Sequence, residues 1–330
     1  MLVFRRRWEA IEANMTDHLS VTSPLLGCIA DDFTGATDLA NNLVEAGMNV
    51  IHCMGIPKSR EAVIGADAVV VALKTRSMER DAAMAKSLEA LFALQAFGIG
   101  QFYFKYCSTF DSTTNGNIGP VAEAFMAALK VPQTIFCPAF PETARTVYKG
   151  HLFVGDQLLH ESGMQHHPLN PMTDSNLVRV LSRQSQQKVG LVSYDVVDRG
   201  DHAIELALRD LEAQGMPFAV LDALKNEHLN SIAMACADMP LITGGSGLAV
   251  GLPAAYRARG LLSNDPTRPM MPSIFGRTAI LSGSCSLATQ EQIASIPSQY
   301  AIRWLDIRRS VKHAETEVEQ SIAWAKSLDA

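Results

Sequence analysis

The stretch LLGCIADDFTGATDLANNLVEAG, residues 25–47, decides the fold. Its apolar opening, LLGCIA (25–30), runs without polar alternation, as a strand buried on both faces of a parallel sheet does. Two adjacent carboxylates, Asp31 and Asp32, interrupt it, and Thr34-Gly35 leads into a segment where Leu39, Leu43 and Ala46 recur at helical spacing until Gly47 supplies the stop. Strand, acidic turn and helix open an α/β unit.

Outward from that unit, short runs rich in Val, Ile and Phe alternate with helical patterns. They predict further strands at 49–54, 68–73, 101–106, 134–138, 189–194, 218–221, 240–243, 278–282 and 300–304. The expectation is an α/β protein of two domains, with largely parallel sheets flanked by helices. Lys149-Gly150, between two alternating runs, predicts a β-hairpin inserted near 144–160. Residues 257–277, with three prolines and weak periodicity, read as a linker between a domain at 25–256 and one at 278–330. The second has too few elements to close a core of its own and is expected to be incomplete. Residues 1–24 read as a disordered N-terminal extension: Arg5, Arg6 and Arg7 are followed by mixed polar and acidic residues, which a secretory signal is not.

Composition excludes several classes. A net charge of −6 offers no basic patch for nucleic acid, and no apolar run is long enough to cross a bilayer. The six cysteines are scattered singly, without the spacing of a zinc site or a disulfide framework, which points to the reducing cytoplasm. His166-His167-Pro168 reads as loop, not as a metal site.

Chemistry concentrates in four places. In IADDFTGATD (29–38), the acids Asp31, Asp32 and Asp38 lie at a strand end, where ligands gather in open α/β sheets. One of them is accounted for as a helix N-cap. Three uses stay open for the pair: binding Mg2+, accepting sugar hydroxyls, or acting as a general base. In FKYCSTFDSTTNGNIGP (104–120), Lys105, Asp111, Ser112 and Asn117 suit a polyhydroxy acid, against the alternative of a hydrophilic loop with a helix cap. On the proposed hairpin, Arg145 can clamp a carboxylate, with Gly150 and His151 beside it, and Arg76 after the third strand is a second clamp candidate; both otherwise read as solvated charge. The glycine- and serine-rich turns TGGSG (243–247) and LSGSCS (281–286) each sit between strand and helix, where backbone N–H groups suit an anion or simply make a tight turn.

IADDFTGATDLANNLVEAGM, FDST followed by GNIGP, CPAFPETARTVYKGHLFV and LSGSCS, taken together and in order, resemble the four-carbon acid sugar kinase family. Within it the wording is more similar to the 3-oxo-tetronate kinases than to the D-threonate or D-erythronate kinases. The resemblance implies an N-terminal acid-sugar domain, a C-terminal ATP domain and phosphorylation of a C4 hydroxyl, with ATP and Mg2+ as cofactors. It implies that Asp31 and Asp32 are catalytic. It places Thr34, Gly35, Asp38, Arg76, Lys105, Asp111, Ser112, Asn117, Arg145, Gly150 and His151 towards the substrate, and Ser282, Gly283, Ser284 and Ser286 towards nucleotide. The partners it implies are small molecules, with a homodimer left open and neither nucleic acid nor membrane. The family's glycine-rich GGETS-like segment does not occur in the sequence, so the nucleotide domain is expected to be cut short. A catalytically silent sugar-acid binding protein is the alternative.

Overall fold

In the computed structural model every residue of β1 (Leu26–Ala30) is buried, as its unbroken apolar run requires. The structure describes residues 23–110, 113–166, 170–263, 273, 275–276, 278–283, 287–306 and 312–328. Around β1 lie β2 (Val50–Met54), β3 (Ala68–Ala72), β4 (Gln101–Lys105), β5 (Thr134–Cys137), β9 (Val189–Val192), β10 (Phe218–Leu221) and β11 (Leu241–Gly244). They form one eight-stranded sheet in the order β2-β3-β1-β4-β11-β5-β10-β9, and every pairing in it is parallel. Seven of the predicted strands fall here within a residue or two.

Helices alternate with the strands: α1 (Phe33–Glu45), α2 (Arg80–Ala96), α3 (Ile118–Leu129), α4 (Leu177–Gln184), α5 (Tyr194–Val197), α6 (Asp201–Ala213), α7 (Asn226–Cys236), α8 (Ser246–Ala249) and α9 (Leu252–Ala258). α1 turns Ala36, Leu39, Ala40 and Leu43 inward, and Gly47, at φ 88°, stops it in the left-handed region. From β1 the chain crosses to β2 on one side of the sheet, whereas from β4 it crosses towards β5 on the other. The topological switch point therefore lies between β1 and β4, which pair directly.

The predicted hairpin forms a separate antiparallel sheet of β6 (Arg145–Tyr148), β7 (His151–Val154) and β8 (Gln157–Leu158). Tyr148 pairs with His151, so Lys149 (φ 49°) and Gly150 (φ 74°) are the whole turn. Two successive positive φ angles match the twist of the flanking strands. Aromatic rings fill the core beneath, with Phe104 against Phe125 at 5.6 Å and Phe136 against Phe218 at 4.6 Å. Cys28, Cys137 and Cys236 are buried there as free thiols. No described helix is long and apolar enough to cross a membrane.

The chain divides into two units, Met1–Met270 and Met271–Ala330. In the second, the described elements are α10 (Leu287–Ala294) and α11 (Ala314–Ser327). The strands predicted at 278–282 and 300–304 do not form among the described residues. Their apolar side chains stand out in solvent, with Leu281 94% and Trp304 74% exposed, and an isolated apolar run gains nothing from extended pairing without a partner strand.

Candidate functional site

β1 lies between β3 and β4, so the three chain segments leaving those strands meet at one edge. Backbone bonds lock them: the N–H groups of Thr75 and Arg76 donate to the Asp31 carbonyl at 2.9 and 3.1 Å, and Asp31 N–H donates to the Lys105 carbonyl at 3.0 Å. On this frame the Arg76 guanidinium meets the acidic turn. Its Nε and Nη2 donate to the two Asp31 carboxylate oxygens at 3.0 and 2.7 Å, and Nη2 also reaches Asp32 Oδ1 at 2.6 Å. Asp32 caps α1 as well, its Oδ1 accepting Gly35 N–H at 3.1 Å.

The two carboxylates are thereby differentiated. Asp31 is 5% exposed with both oxygens bonded to Arg76. Burial raises its pKa above the ordinary carboxylate value, against the opposing pull of Arg76 and Lys105. For Arg76, burial works against the charge, but Asp31 outweighs it and holds the guanidinium protonated. Asp32 keeps a quarter of its side chain open, 26%, and its Oδ2 has no hydrogen-bond partner among the described residues. Lys105 is 3% exposed; its Nζ donates to the Tyr106 carbonyl at 2.8 Å and retains further N–H donors beside Asp31. A free carboxylate oxygen and a buried ammonium with donors to spare sit side by side at the switch point.

Asp31, Asp32, Gly35, Arg76 and Lys105 thus come together at one strand end. Arg76, a carboxylate-clamp candidate that otherwise read as solvated charge, donates to the carboxylates of the acidic turn. Asn117 belongs through the backbone: its Nδ2 donates to the carbonyls of Thr75, Met78 and Arg76. Thr34 stands exposed in the first turn of α1, and Asp38 accepts a hydrogen bond from Ser246 Oγ. Asp111 and Ser112 lie outside the described residues; before them the chain turns at Phe110, buried at φ 53° with its ring 5.4 Å from Tyr106.

The hairpin candidates form a group of their own. Arg145 Nη1 donates to the Thr143 carbonyl, and His151 Nδ1 lies 2.9 Å from the Lys149 carbonyl. Neither has a described contact with the Asp31 cluster. The sequence reading missed the residue that holds this hairpin, Asp222, which follows β10. Its fully buried carboxylate accepts N–H bonds from Lys149, Gly150 and Tyr194 at 2.7 to 2.8 Å. Burial nonetheless keeps its pKa raised. A lone Asp at the end of an apolar strand was the available signal.

Of the two readings open for the TGGSG turn, anion loop or tight turn, the packing around its glycines supports the tight turn. A Cβ on Gly244 would lie 2.7 Å from the Cys137 carbonyl, one on Gly245 2.8 Å from that of Pro138, and one on Gly247 2.7 Å from that of Ala139. These glycines let β11 and α8 close on the end of β5. In the other turn, Ser284 and Ser286 lie outside the described residues, while Ser282 and Gly283 are exposed and a Cβ on Gly283 would meet nothing within 4 Å. Among the described residues no three or more His, Cys, Asp or Glu gather to hold a metal ion.

A doubly wound parallel sheet with paired carboxylates, a guanidinium and a buried ammonium at its switch point defines an α/β protein with a polar, charge-balanced cluster where such sheets bind ligands. Residues 26–252 match the family profile described as a sugar-binding N-terminal domain. The chain is 54% identical over 285 residues to a 3-oxo-tetronate kinase of Cupriavidus necator, covering 86% of this chain and 64% of that one. It is 50% identical over 309 residues to the 3-oxo-tetronate kinase of Pseudomonas fluorescens, covering 93% and 72%. A crystal structure from Salmonella typhimurium LT2 superposes with a TM-score of 0.78 at 45% identity, over 93% of this chain and 71% of the other. One from Bordetella bronchiseptica, described with bound citrate as a domain-swapped dimer, superposes at 0.61 with 26% identity, over 71% and 58%. The chain belongs to the four-carbon acid sugar kinase family.

Proposed function

We propose that this chain binds a four-carbon acid sugar between the ends of β1 and β4 and presents its C4 hydroxyl for ATP-dependent phosphorylation, converting 3-oxo-tetronate to 3-oxo-tetronate 4-phosphate. The observation that carries the reading is the convergence beside Gly35 of Asp32, with Oδ2 unbonded among the described residues, and Lys105, with N–H donors to spare. Relatives named 3-oxo-tetronate kinase and a citrate-bound structural neighbour support an acid-sugar ligand.

Phosphoryl transfer asks the protein mainly to align the attacking hydroxyl and to balance charge. Asp32 Oδ2 accepts the C4 hydroxyl and orients or deprotonates it. Lys105 donates to substrate oxygen, and Arg76 with Asp31 fixes the Asp32 rotamer. Because Arg76 and Lys105 already offset the two carboxylates, the acidic turn serves sugar hydroxyls in this reading, and Mg2+ would enter with ATP, the donor, and supply charge neutralisation there. The cytoplasm, with its ATP and reduced thiols, is the compartment the reading assigns.

The test is calorimetry and ADP release with 3-oxo-tetronate, D-threonate and D-erythronate, in wild type and Asp32→Asn. Binding of 3-oxo-tetronate with ADP release, and a sharp loss of turnover in Asp32→Asn at unchanged thermal stability, is expected. Binding without ADP release identifies the silent binding protein, preference for threonate or erythronate reassigns the substrate, and absence of binding removes the site.

A further inference from the structure

We propose that Asn117 is a positioning residue of the acid-sugar site: it holds the 75–78 loop so that Arg76 keeps both carboxylates of the β1 turn in fixed orientation. The inference rests on the functional reading above. Asn117 occupies the N-cap position of α3, where an Asn side chain ordinarily accepts an N–H of its own helix, yet it makes no such bond. Its amide is turned the other way. Nδ2 donates to the Thr75 carbonyl at 2.8 Å, the Met78 carbonyl at 3.0 Å and the Arg76 carbonyl at 3.3 Å. A ring of carbonyl acceptors settles which end of the amide is nitrogen, since Oδ1 there would face oxygen only.

The same loop is held from its other side by Asp31. The Thr75 and Arg76 N–H groups donate to the Asp31 carbonyl, and the Arg76 side chain returns to the Asp31 and Asp32 carboxylates. The contacts therefore run unbroken from Asn117 through the loop and Arg76 to the acidic turn. They also cross the switch point, because Asn117 arrives from β4, the loop from β3 and the acids from β1. Asn117 is 8% exposed and Thr75 is 2% exposed, so no bulk water stands ready to replace the amide. Removing the donor leaves the Thr75 carbonyl with the Met78 N–H alone, strips the part-buried Arg76 and Met78 carbonyls of this partner, and frees the segment that aims Arg76. A misplacement of about 1 Å in such a support costs on the order of 100-fold in a site that depends on alignment.

The experiment compares wild type with Asn117→Ala and the near-isosteric Asn117→Asp, which keeps the shape but not the donors. One readout is the pH titration of the Asp31 carboxyl carbon by NMR; the charged and titratable groups around it are Arg76, Lys105, Asp32 and Tyr106, with Cys107 beside Arg76. The other is the affinity for 3-oxo-tetronate by calorimetry, in the single variants, Arg76→Ala and the double Asn117→Ala/Arg76→Ala. With Arg76 loosened, Asp31 titrates at higher pH than in wild type, affinity falls roughly 10- to 100-fold, and the double variant binds no worse than Arg76→Ala alone. An unmoved Asp31 titration in a folded variant overturns the proposal. So does an additive loss in the double variant, which assigns Asn117 to the substrate itself. If wild type binds no sugar acid, the functional reading falls, while the Asp31 titration still decides the role of Asn117. Should Asn117→Ala not fold, Asn117→Asp carries both readouts.

Discussion

The ammonium of Lys105 occupies the place where a side chain on residue 35 would begin: a Cβ on Gly35 would lie 2.6 Å from Lys105 Nζ and 2.4 Å from Asp32 Oδ1. Gly35 is helical, so an alanine there meets no backbone penalty and gains up to about 1 kcal/mol of helix propensity. The conflict falls on the ends of two side chains, Lys105 Nζ and Asp32 Oδ1, the second of which also caps α1. Displacing Asp32 Oδ1 also strains the α1 cap, worth about 1 kcal/mol, so Gly35→Ala is expected to leave the melting temperature close to that of wild type while weakening 3-oxo-tetronate binding by at least about tenfold, the equivalent of ~1.4 kcal/mol. Thermal unfolding and calorimetry on one preparation check this, and a variant that binds normally removes Lys105 and Asp32 from the site.

Asp222 gives the opposite pattern, stability before binding. Its carboxylate closes three backbone N–H groups from the hairpin turn and α5. In Asp222→Asn the amide nitrogen must face a donor, leaving at least one buried N–H unpaired, at a cost of about 1–3 kcal/mol. Denaturant unfolding should show that loss without a change in m. Intact stability would mean that the amide finds an arrangement the packing here does not offer.

What the sequence made legible was local. The unbroken LLGCIA run, the acidic cap of α1 and the Lys149-Gly150 turn each follow from neighbours within a few residues, and each formed. What it hid were choices made across long separations. Arg76 reads as a carboxylate clamp or as solvated charge, and its pairing with carboxylates 44 and 45 residues away emerges only on folding. Glycine between strand and helix has two physical uses, exposing N–H donors or admitting a close neighbour, and in TGGSG the carbonyls at the end of β5 select the second. In the second unit, 278–282 and 300–304 have strand-like composition, but composition does not supply the partner that a ladder needs.

A pH dependence follows from Asp31. Its folded pKa is raised, so the native chain holds this proton over a pH range in which the unfolded chain has already lost it. Below the unfolded value, about 3.9, both states are protonated and the group has no effect. As pH rises from there towards the raised native value, the unfolded state binds fewer protons, and this group's contribution to stability declines. Asp31→Asn should remove that decline, seen as a shallower fall of unfolding free energy across the window. Identical slopes in wild type and variant would mean that Asp31 ionises as an ordinary carboxylate.

The Asp31–Arg76 pair itself yields to a double-mutant cycle. Arg76→Ala leaves a carboxylate that is 5% exposed without its bidentate partner, and breaking a buried pair from one side costs about 3–5 kcal/mol. Arg76 keeps a 19% exposed side chain, so solvent screening places the expected loss at the lower end of that range. Asp31→Asn/Arg76→Ala removes both charges, and the double variant should lose clearly less stability than the sum of the two single losses. The coupling should also exceed that of an exposed pair such as Lys86–Glu89, which is worth a few tenths of a kcal/mol. Additive losses would show that the guanidinium is held by Asp32 and the surrounding loop, and that Asp31 is free to act on substrate in place of Asp32.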